Sequence, residues 1–428
     1  MNVDQMHTWA AATTREILQR LFDADASVLA VRLWDGTRWP ADGPAAPVTL
    51  TLTHPGALRR MMQFPLDVAL GEAFIRGDFQ VEGDLEAAFD IVRRVGRPGP
   101  REVLALGRLA ARLPKTQPPD AAPLRPARLQ GAKHSRERDR RAISHHYDVG
   151  NDFFQLWLDR RMVYSCAYFS TGTEDLDTAQ EAKLDLICRK LRLHAGDRLL
   201  DVGCGWGGLV MYAAERYGVT ALGVTLSRSQ AELAARRIAE AGLTARCRVE
   251  LRDYRELAGE EFDKAASVGM FEHVGREKLP AYFAAAFSAL RRGGLFLNHG
   301  ISTGRPGGEW AVTGRSFTDR YVFPDGELVS VSEALRAAED AGFEVRDVES
   351  LREHYALTLR HWVRRLEARR AEAVTAVGEG IVRTWRLFMA ASAYGFASGH
   401  LSVYQALLVK PDERGRSGLP LTRTDIYA

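Results

Sequence analysis

Residues Leu199 to Gly208, LLDVGCGWGG, set an apolar run that ends in an acid directly before a string of glycines. Gly203, Gly205 and Gly207 carry no Cβ, so the backbone there can turn tightly and approach a ligand closely while the next helix begins. The amide N–H groups of such a helix start face the bound molecule. A GxGxG turn does not by itself choose a cofactor; the next strand does. A dinucleotide site places Asp or Glu about 20 residues further on, at the end of the second strand, to bond a ribose hydroxyl. Here the second run, ALGVTL, ends at Thr225 and Leu226, which disfavours a nicotinamide dinucleotide.

Three more segments hold residues able to do chemistry: HHYDVGNDFFQLWLD (145–159) with MVYSCAYF (162–169), then VGMFEHVG (268–275), then NHGIS (298–302). Together with the run from Asp201 through Thr225, Leu226 and Ser227 to Gln230, they resemble the cyclopropane fatty acid synthases and mycolic acid modifying enzymes. These are S-adenosylmethionine (SAM)-dependent methyltransferases, and the actinobacterial tuberculostearic acid methyltransferases are a branch of them. The resemblance is close from the first of these segments onward. The earlier part looks like the looser N-terminal domain that the bacterial fatty-acid enzymes carry and the mycolate enzymes lack.

The resemblance implies a cofactor site of Tyr164 and Ser165 at the methionine end, with Asp201, Gly203 and Gly205 at the turn. Thr225, Leu226 and Gln230 would face ribose and adenosine, Asp253 with Tyr254 would border the adenine, and His146 with Tyr147 would help close the pocket. It also implies a bound bicarbonate ion as general base. The ion would be held by Glu272, His299 and Tyr355 and by the backbone at Cys166 and Ile301, with Tyr321 a competitor for the tyrosine position. A carboxyl beside an anion is tolerable only if the two share a proton, so Glu272 is expected to titrate high. Cys166 has no basic neighbour in sequence and is read as positioning, not as a nucleophile. Each of these residues has a plainer reading as well: a Glu–His pair after a strand is often a helix cap, and a buried histidine is often only a satisfied core group.

The implied reaction is demanding. A sulfonium methyl is electrophilic, but an isolated alkene is a poor nucleophile that needs alignment and exclusion of water. Attack leaves a carbocation, which suits aromatic faces better than lone-pair donors; the candidates are Tyr164, Tyr168, Phe169, Phe271 and Trp310. The expected function is therefore methylation at the double bond of an unsaturated acyl chain of a membrane phospholipid. Proton loss from the added carbon would give a cyclopropane. Loss from a chain carbon would give a 10-methylene branch that a partner reductase could saturate. Two other classes stand beside this one. A nucleic-acid methyltransferase gripping through a basic segment would bind with steep salt dependence, although no NPPY-like loop is present. A non-catalytic lipid-binding protein is opposed by the intact glycines, Glu272 and His299.

Composition sets the bounds within which these residues must be placed. A chain of 428 residues, 46% hydrophobic, is long for one domain and has apolar residues enough for two cores. A net charge of +3 does not demand a nucleic-acid partner. Cys166, Cys188, Cys204 and Cys247 show no metal-ligand spacing and no disulfide framework, so no metal is expected. The N-terminus lacks an export signal, and no run of about 18 apolar residues occurs. The expected location is the cytoplasm, peripheral to the inner face of the cell membrane, with two copies of the chain paired.

The elements follow from periodicity. Residues 7–24 read as an amphipathic helix, 28–36 and 47–55 as strands, and the stretch from Pro55 to residue 95 as helical with breaks at Pro65, Gly77 and Gly83. This gives an α+β domain over 1–112. A proline-rich and then basic linker follows over 113–141, in which 125–141 holds seven Arg or Lys against two acids. That segment is either a helix start laced with ion pairs or a patch for lipid headgroups. Over 142–428 strands at 198–202, 220–225, 247–252, 262–268, 294–300, 344–350 and 402–409 alternate with helices near 207–217, 227–241, 277–291 and 332–342. This is the pattern of a doubly wound, Rossmann-like α/β domain with an open parallel sheet. Segments 303–331 and 353–399 would form a lid over its strand ends.

Overall fold

The computed structural model describes all residues except 1, 23–28, 42–45, 47, 95–98, 148, 258, 305–315 and 428. Trp310 and the middle of the 303–331 segment thus lie outside the described residues. The chain divides into two compact units, one built mainly from the residues up to Pro126 together with Val377–Tyr394, the other from Ala127 onward with Thr318–Ala376 and Gly395–Ala428. The expected linker over 113–141 is therefore shared between the two units.

In the first unit helix α1 (Val3–Phe22) precedes a four-stranded sheet of β1 (Leu29–Arg32), β2 (Arg38–Trp39), β3 (Val48–Leu52) and β4 (Phe79–Gly83), in the order β2-β1-β3-β4. Helices α2 (Ala57–Met61), α3 (Leu66–Arg76), α4 (Leu85–Arg94) and α5 (Pro100–Arg112) complete it. Strand β4 corrects the expectation that the segment between the breaks at Gly77 and Gly83 is helical. FQVEG alternates buried and exposed side chains at Phe79, Gln80 and Val81, and pairs antiparallel with β3 from Leu52↔Phe79 to Val48↔Gly83. Five residues between two glycines are too short to show that period in sequence, and sheet pairing decides the outcome.

The second unit opens with α6 (Arg136–Tyr147), α7 (Asn151–Gln155) and α8 (Leu176–Lys190). A seven-stranded sheet follows, of β5 (Arg198–Val202), β6 (Thr220–Thr225), β7 (Cys247–Leu251), β8 (Phe262–Val268), β9 (Leu290–Thr303), β10 (Glu344–Ser350) and β11 (Leu401–Val409), ordered β10-β11-β9-β8-β5-β6-β7. The interleaved helices are α9 (Gly208–Tyr217), α10 (Arg228–Glu240), α11 (Leu279–Ala289), α12 (Phe317–Tyr321), α13 (Val331–Asp340) and α14 (Arg352–Ala368). The sheet is not wholly parallel as expected: β11 runs antiparallel to both β9 and β10. Strand β9 also starts earlier than expected, because α11 ends at Ala289 and Leu290 already pairs with Phe262.

Alternation along the strands feeds two cores. Leu200, Val202, Val224, Phe296 and Leu408 pack with Tyr282 and Phe283 of α11 and Ala338 of α13. Leu199, Ala221, Ala266, Leu297 and Leu407 pack on the other face with Leu184 and Ile187 of α8 and Val210 and Ala213 of α9. Strands buried on both faces read as near-continuous apolar runs, which is why these were visible in sequence. Local signals fix the helix starts: Asp175 accepts from the Thr178 N–H, Ser227 from that of Gln230, and Ser330 with Glu333 forms a reciprocal capping box.

Candidate active site

The β5–α9 turn opens a cavity at the carboxyl ends of β5, β6 and β8, lined by Asp201, Gly203, Gly205, Thr225, Leu226 and Gln230. Tyr164, Ser165 and Tyr254 line it too, so nine of the ten expected cofactor residues share one cavity. Gly203 lies at φ +80°, where a Cβ would come within 2.7 Å of Met270 Cβ. At Gly205, φ +53°, a Cβ would meet nothing within 4 Å, as suits a turn whose backbone is left bare for a ligand. Thr225 donates to Gln230 Oε1 at 2.8 Å and accepts from the Ser227 N–H, so the residues meant to face the ribose are already fixed to one another.

Asp253 is the exception. Its carboxylate is buried but does not line the cavity; Arg255 holds it at 2.6 and 2.8 Å, keeping it below the usual carboxylate range despite burial. Its neighbour Tyr254 takes the wall position.

The cavity floor contains a charge that sequence reasoning missed. Lys183 of α8 is buried and donates to Ser165 Oγ at 2.8 Å. Burial lowers its pKa to about 8, against the fields of Asp159, Cys166 and Asp201. Asp201 has one carboxylate oxygen without a partner among the described residues, and burial pushes it up to about 7 while Lys183 pulls it down. Gln180, one turn before Lys183, donates to the carbonyls of Ser165 (2.9 Å) and Val163 (3.3 Å), and Asp159 accepts from the Val163 N–H at 2.8 Å. The signal available in sequence was two polar residues, three apart, on the otherwise apolar face of α8 made by Leu176, Ala179, Leu184 and Ile187.

The structure sets several of the expected catalytic residues close together: Glu272 bonds Ile301, and the fields of Glu272 and Cys166 reach Tyr355. Glu272, in the turn after β8, accepts from the Ile301 N–H of β9 at 2.6 Å through Oε1, while Oε2 is buried without a partner among the described residues. Burial pushes this carboxyl up to about 7, partly offset by the Ile301 bond. His299 pairs with Val268 in the β8–β9 register, faces the Gln405 amide nitrogen through Nδ1 at 3.2 Å, and leaves Nε2 buried and unpartnered among the described residues. With that nitrogen donating to Nδ1, the ring proton sits on Nε2. Burial, then the fields of Lys183 and Lys190, keep the ring neutral.

Tyr355, on α14, is partly buried, and burial together with the fields of Glu272 and Cys166 raises the pKa of its hydroxyl; its ring lies on Phe396 at 4.5 Å. Tyr164 feels Tyr355, Tyr147 and Glu272 in the same way. Cys166 is wholly buried, its sulfur 3.6 Å from the Leu351 carbonyl, and burial raises the thiol pKa, which disfavours the thiolate that a nucleophile requires. The loop that carries it is tied to α14 by Thr358, which accepts from the Ala167 N–H at 3.0 Å.

Of the aromatic candidates, Tyr164 stays at the cavity, with Trp362 at 5.1 Å and Trp157 at 5.6 Å around it. Phe271 packs into the core on Tyr282, while Tyr168 and Phe169 stack on His354 and His361. Helix α6 covers the cavity through Asp139, Ile143 and Tyr147. It is strapped down by Arg138 on Asp325 (2.5 and 2.8 Å), Arg136 on Glu256 and Arg255 on Asp139. His146 bonds the Val322 carbonyl at 2.6 Å, and Phe323 stacks on His273, a cavity residue, at 4.3 Å. Among the described residues no cluster suits a metal ion, and no helix is long and apolar enough to cross a membrane.

The family described as mycolic acid cyclopropane synthetase matches residues 134–406. The chain belongs to that family. It is a SAM-dependent C-methyltransferase with a class I methyltransferase fold. Among its relatives, a probable fatty acid methyltransferase of Pseudomonas putida is 43% identical over 93% of this chain and 96% of its own. The tuberculostearic acid methyltransferase UfaA1 of Mycobacterium tuberculosis is 34% identical over 94% of this chain and 92% of its own. The cyclopropane-fatty-acyl-phospholipid synthase of Escherichia coli is 33% identical over 87% and 90%. The solved mycolic acid cyclopropane synthase CmaA1, complexed with SAH and CTAB, superposes at a TM-score of 0.60 with 35% identity, covering 63% of this chain and 97% of that one.

Proposed function

We propose that this methyltransferase adds a one-carbon unit to the double bond of an unsaturated fatty acyl chain in a phospholipid, with bicarbonate as the bound base. The observation that carries the proposal is a pair of buried polar atoms left without protein partners among the described residues, Glu272 Oε2 and His299 Nε2. Tyr164 and Ser165 line the cofactor cavity, and the field of Glu272 reaches Tyr164. A carboxyl that holds its proton to about pH 7 and a neutral imidazole with its proton on Nε2 present two donors. Two such donors fit a small oxyanion.

When bound, SAM supplies an electrophilic methyl. The protein's part is to align the alkene, to exclude water with Tyr147, Tyr164 and Trp362, and to face the resulting cation with aromatic rings. Glu272 and His299 would then hold the anion that takes the proton. If the proton comes from the added methyl, its carbon bridges both former alkene carbons as a cyclopropane. If it comes from a chain carbon, a methylene branch results. The relatives include enzymes named for each outcome, so both stay within the proposal, as does a reductase to saturate the branch.

Phospholipid is favoured over a carrier-bound chain because the phospholipid synthase relative spans 87% of this chain and so extends into the first unit, whereas the mycolic acid enzyme covers 63%. Attachment to the cytoplasmic face of a membrane, pairing of two copies and a linker role for 113–141 belong to the same proposal. The nucleic-acid alternative loses its grip: the basic segment spends Arg136, Arg138, Arg140 and Arg141 on Glu256, Asp325 and Glu137. Purified protein incubated with labelled SAM and oleoyl phospholipid vesicles should yield acids heavier by one CH2, with the ring and the branch separated by mass spectrometry. Label found only in RNA or protein would overturn the reading.

A further inference from the structure

We propose that the turn between α2 and α3 in the first unit docks on the surface of an anionic phospholipid bilayer. This rests on the phospholipid reading above. Phe64 and Leu66 stand out from the turn, 79% and 46% exposed. Their neighbours Gln63 and Ala69 line a polar cavity whose walls also hold Arg59, Arg60, Arg76 and Lys115. Arg59 donates to the carbonyls of Ala111 and Leu113, and Arg60 to that of Thr116. Carbonyl partners fix the guanidinium geometry but leave its charge in place.

The acids of the same wall offset only part of that charge, two acids against four cations. Asp78 is wholly buried and already held by His54 at 2.9 Å, with Arg60 at 3.7 Å; Glu72 is the other. Among the described residues, no carboxylate forms an ion pair with Arg59, Arg76 or Lys115. An exposed phenyl ring next in sequence to a cavity residue, Gln63, in a wall with more cations than acids fits a surface that is apolar inside and negative outside. The ring enters the acyl boundary while phosphates meet the guanidinium and ammonium groups. Free phosphate would have no use for Phe64. A second copy meeting this face about a two-fold axis would set the same positive rim against itself.

The test is vesicle flotation of the full chain, with vesicles of phosphatidylcholine alone or mixed with phosphatidylglycerol. Binding should be stronger with phosphatidylglycerol. Phe64→Ser with Leu66→Ser should weaken it about tenfold. Arg76→Glu with Lys115→Glu should cost at least about fivefold per cation. Both pairs are at or near the surface, and should leave thermal stability and SAM affinity unchanged. Unaltered flotation of both variants would overturn the proposal. So would a change from paired to single chains with flotation intact, which would make this face a contact between copies. Turnover of detergent-dispersed oleoyl phospholipid separates the two readings. Turnover kept by a variant that has lost flotation supports docking, whereas absence of product from any lipid with flotation intact would sink the function reading alone.

Discussion

A carboxyl stays protonated near neutrality through burial or through a second acid beside it; Glu272 does so by burial, with its one fixed bond coming from the Ile301 N–H. It does not line the cofactor cavity. Glu272→Gln is therefore expected to lower turnover by at least about a hundredfold while leaving SAM affinity within about twofold, as measured by single-turnover rates beside calorimetric titration. An equal loss in both would place Glu272 in cofactor binding instead. Lys183 makes the opposite case. The anion of the proposed function would have no cation among Glu272, His299 and Tyr355, and the buried ammonium whose field reaches both Cys166 and His299 is Lys183. Lys183→Met should weaken SAM binding about tenfold through the lost Ser165 bond and slow turnover at saturating SAM as well. Wild-type kinetics in that variant would reduce Lys183 to a filler of the core. Glu272 and His299 were legible because they sit in short motifs at fixed places after strands. Lys183 and Gln180 were not, because an apolar helix face with two polar interruptions reads in sequence as an imperfect amphipathic pattern.

At the level of elements, strand existence was readable and strand direction was not. Residues 401–409 alternate their side chains identically whichever way the chain runs, and only the pairing of Leu401 with Thr303 and Val409 with Leu295 reveals the antiparallel sense. Helix α6 shows a different limit. Its basic composition is equally compatible with a lipid patch or a strap, and the answer depends on acids far away in sequence. Arg138 reaches Asp325 through two bonds, both side chains largely withdrawn from solvent. The strap lies over the cavity through Asp139, Ile143 and Tyr147, so its fastening should govern how long the cofactor stays. Arg138→Ala is expected to speed SAM dissociation about tenfold and to raise amide exchange across 134–147, with little change at β5 or β6. Removing one partner of a withdrawn pair leaves Asp325 uncompensated, a cost of about 3 kcal/mol at most for a site this close to water. Exchange that rises uniformly over the sheet would show a global loss of stability instead.

Across the whole molecule, the small net charge of +3 conceals buried groups whose titration should shape stability near neutral pH. Burial raises Glu272 from 4.5 to about 7 and Asp201 from 3.8 to about 7. Between those limits the folded state keeps a proton that the unfolded chain has released, so the contribution of each carboxyl to stability falls as pH rises through the window. Lys183, lowered from 10.5 to about 8, acts in the other direction. Below about 8 it is charged in both states, and its burial cost is fully present. As pH climbs toward 10.5 the unfolded chain holds the extra proton, and that cost fades. The three groups together are least favourable between about 7 and 8, the range in which the proposed function has Glu272 hold or share its proton. The Gln variant at position 272 isolates one of them. Its stability relative to the wild type should rise by about 3 kcal/mol between pH 4.5 and 7 and stay level above, read from denaturant titrations at each pH. A difference that does not change with pH would mean that the folded protein never holds this proton, and the two-donor grip on an anion would have to be abandoned.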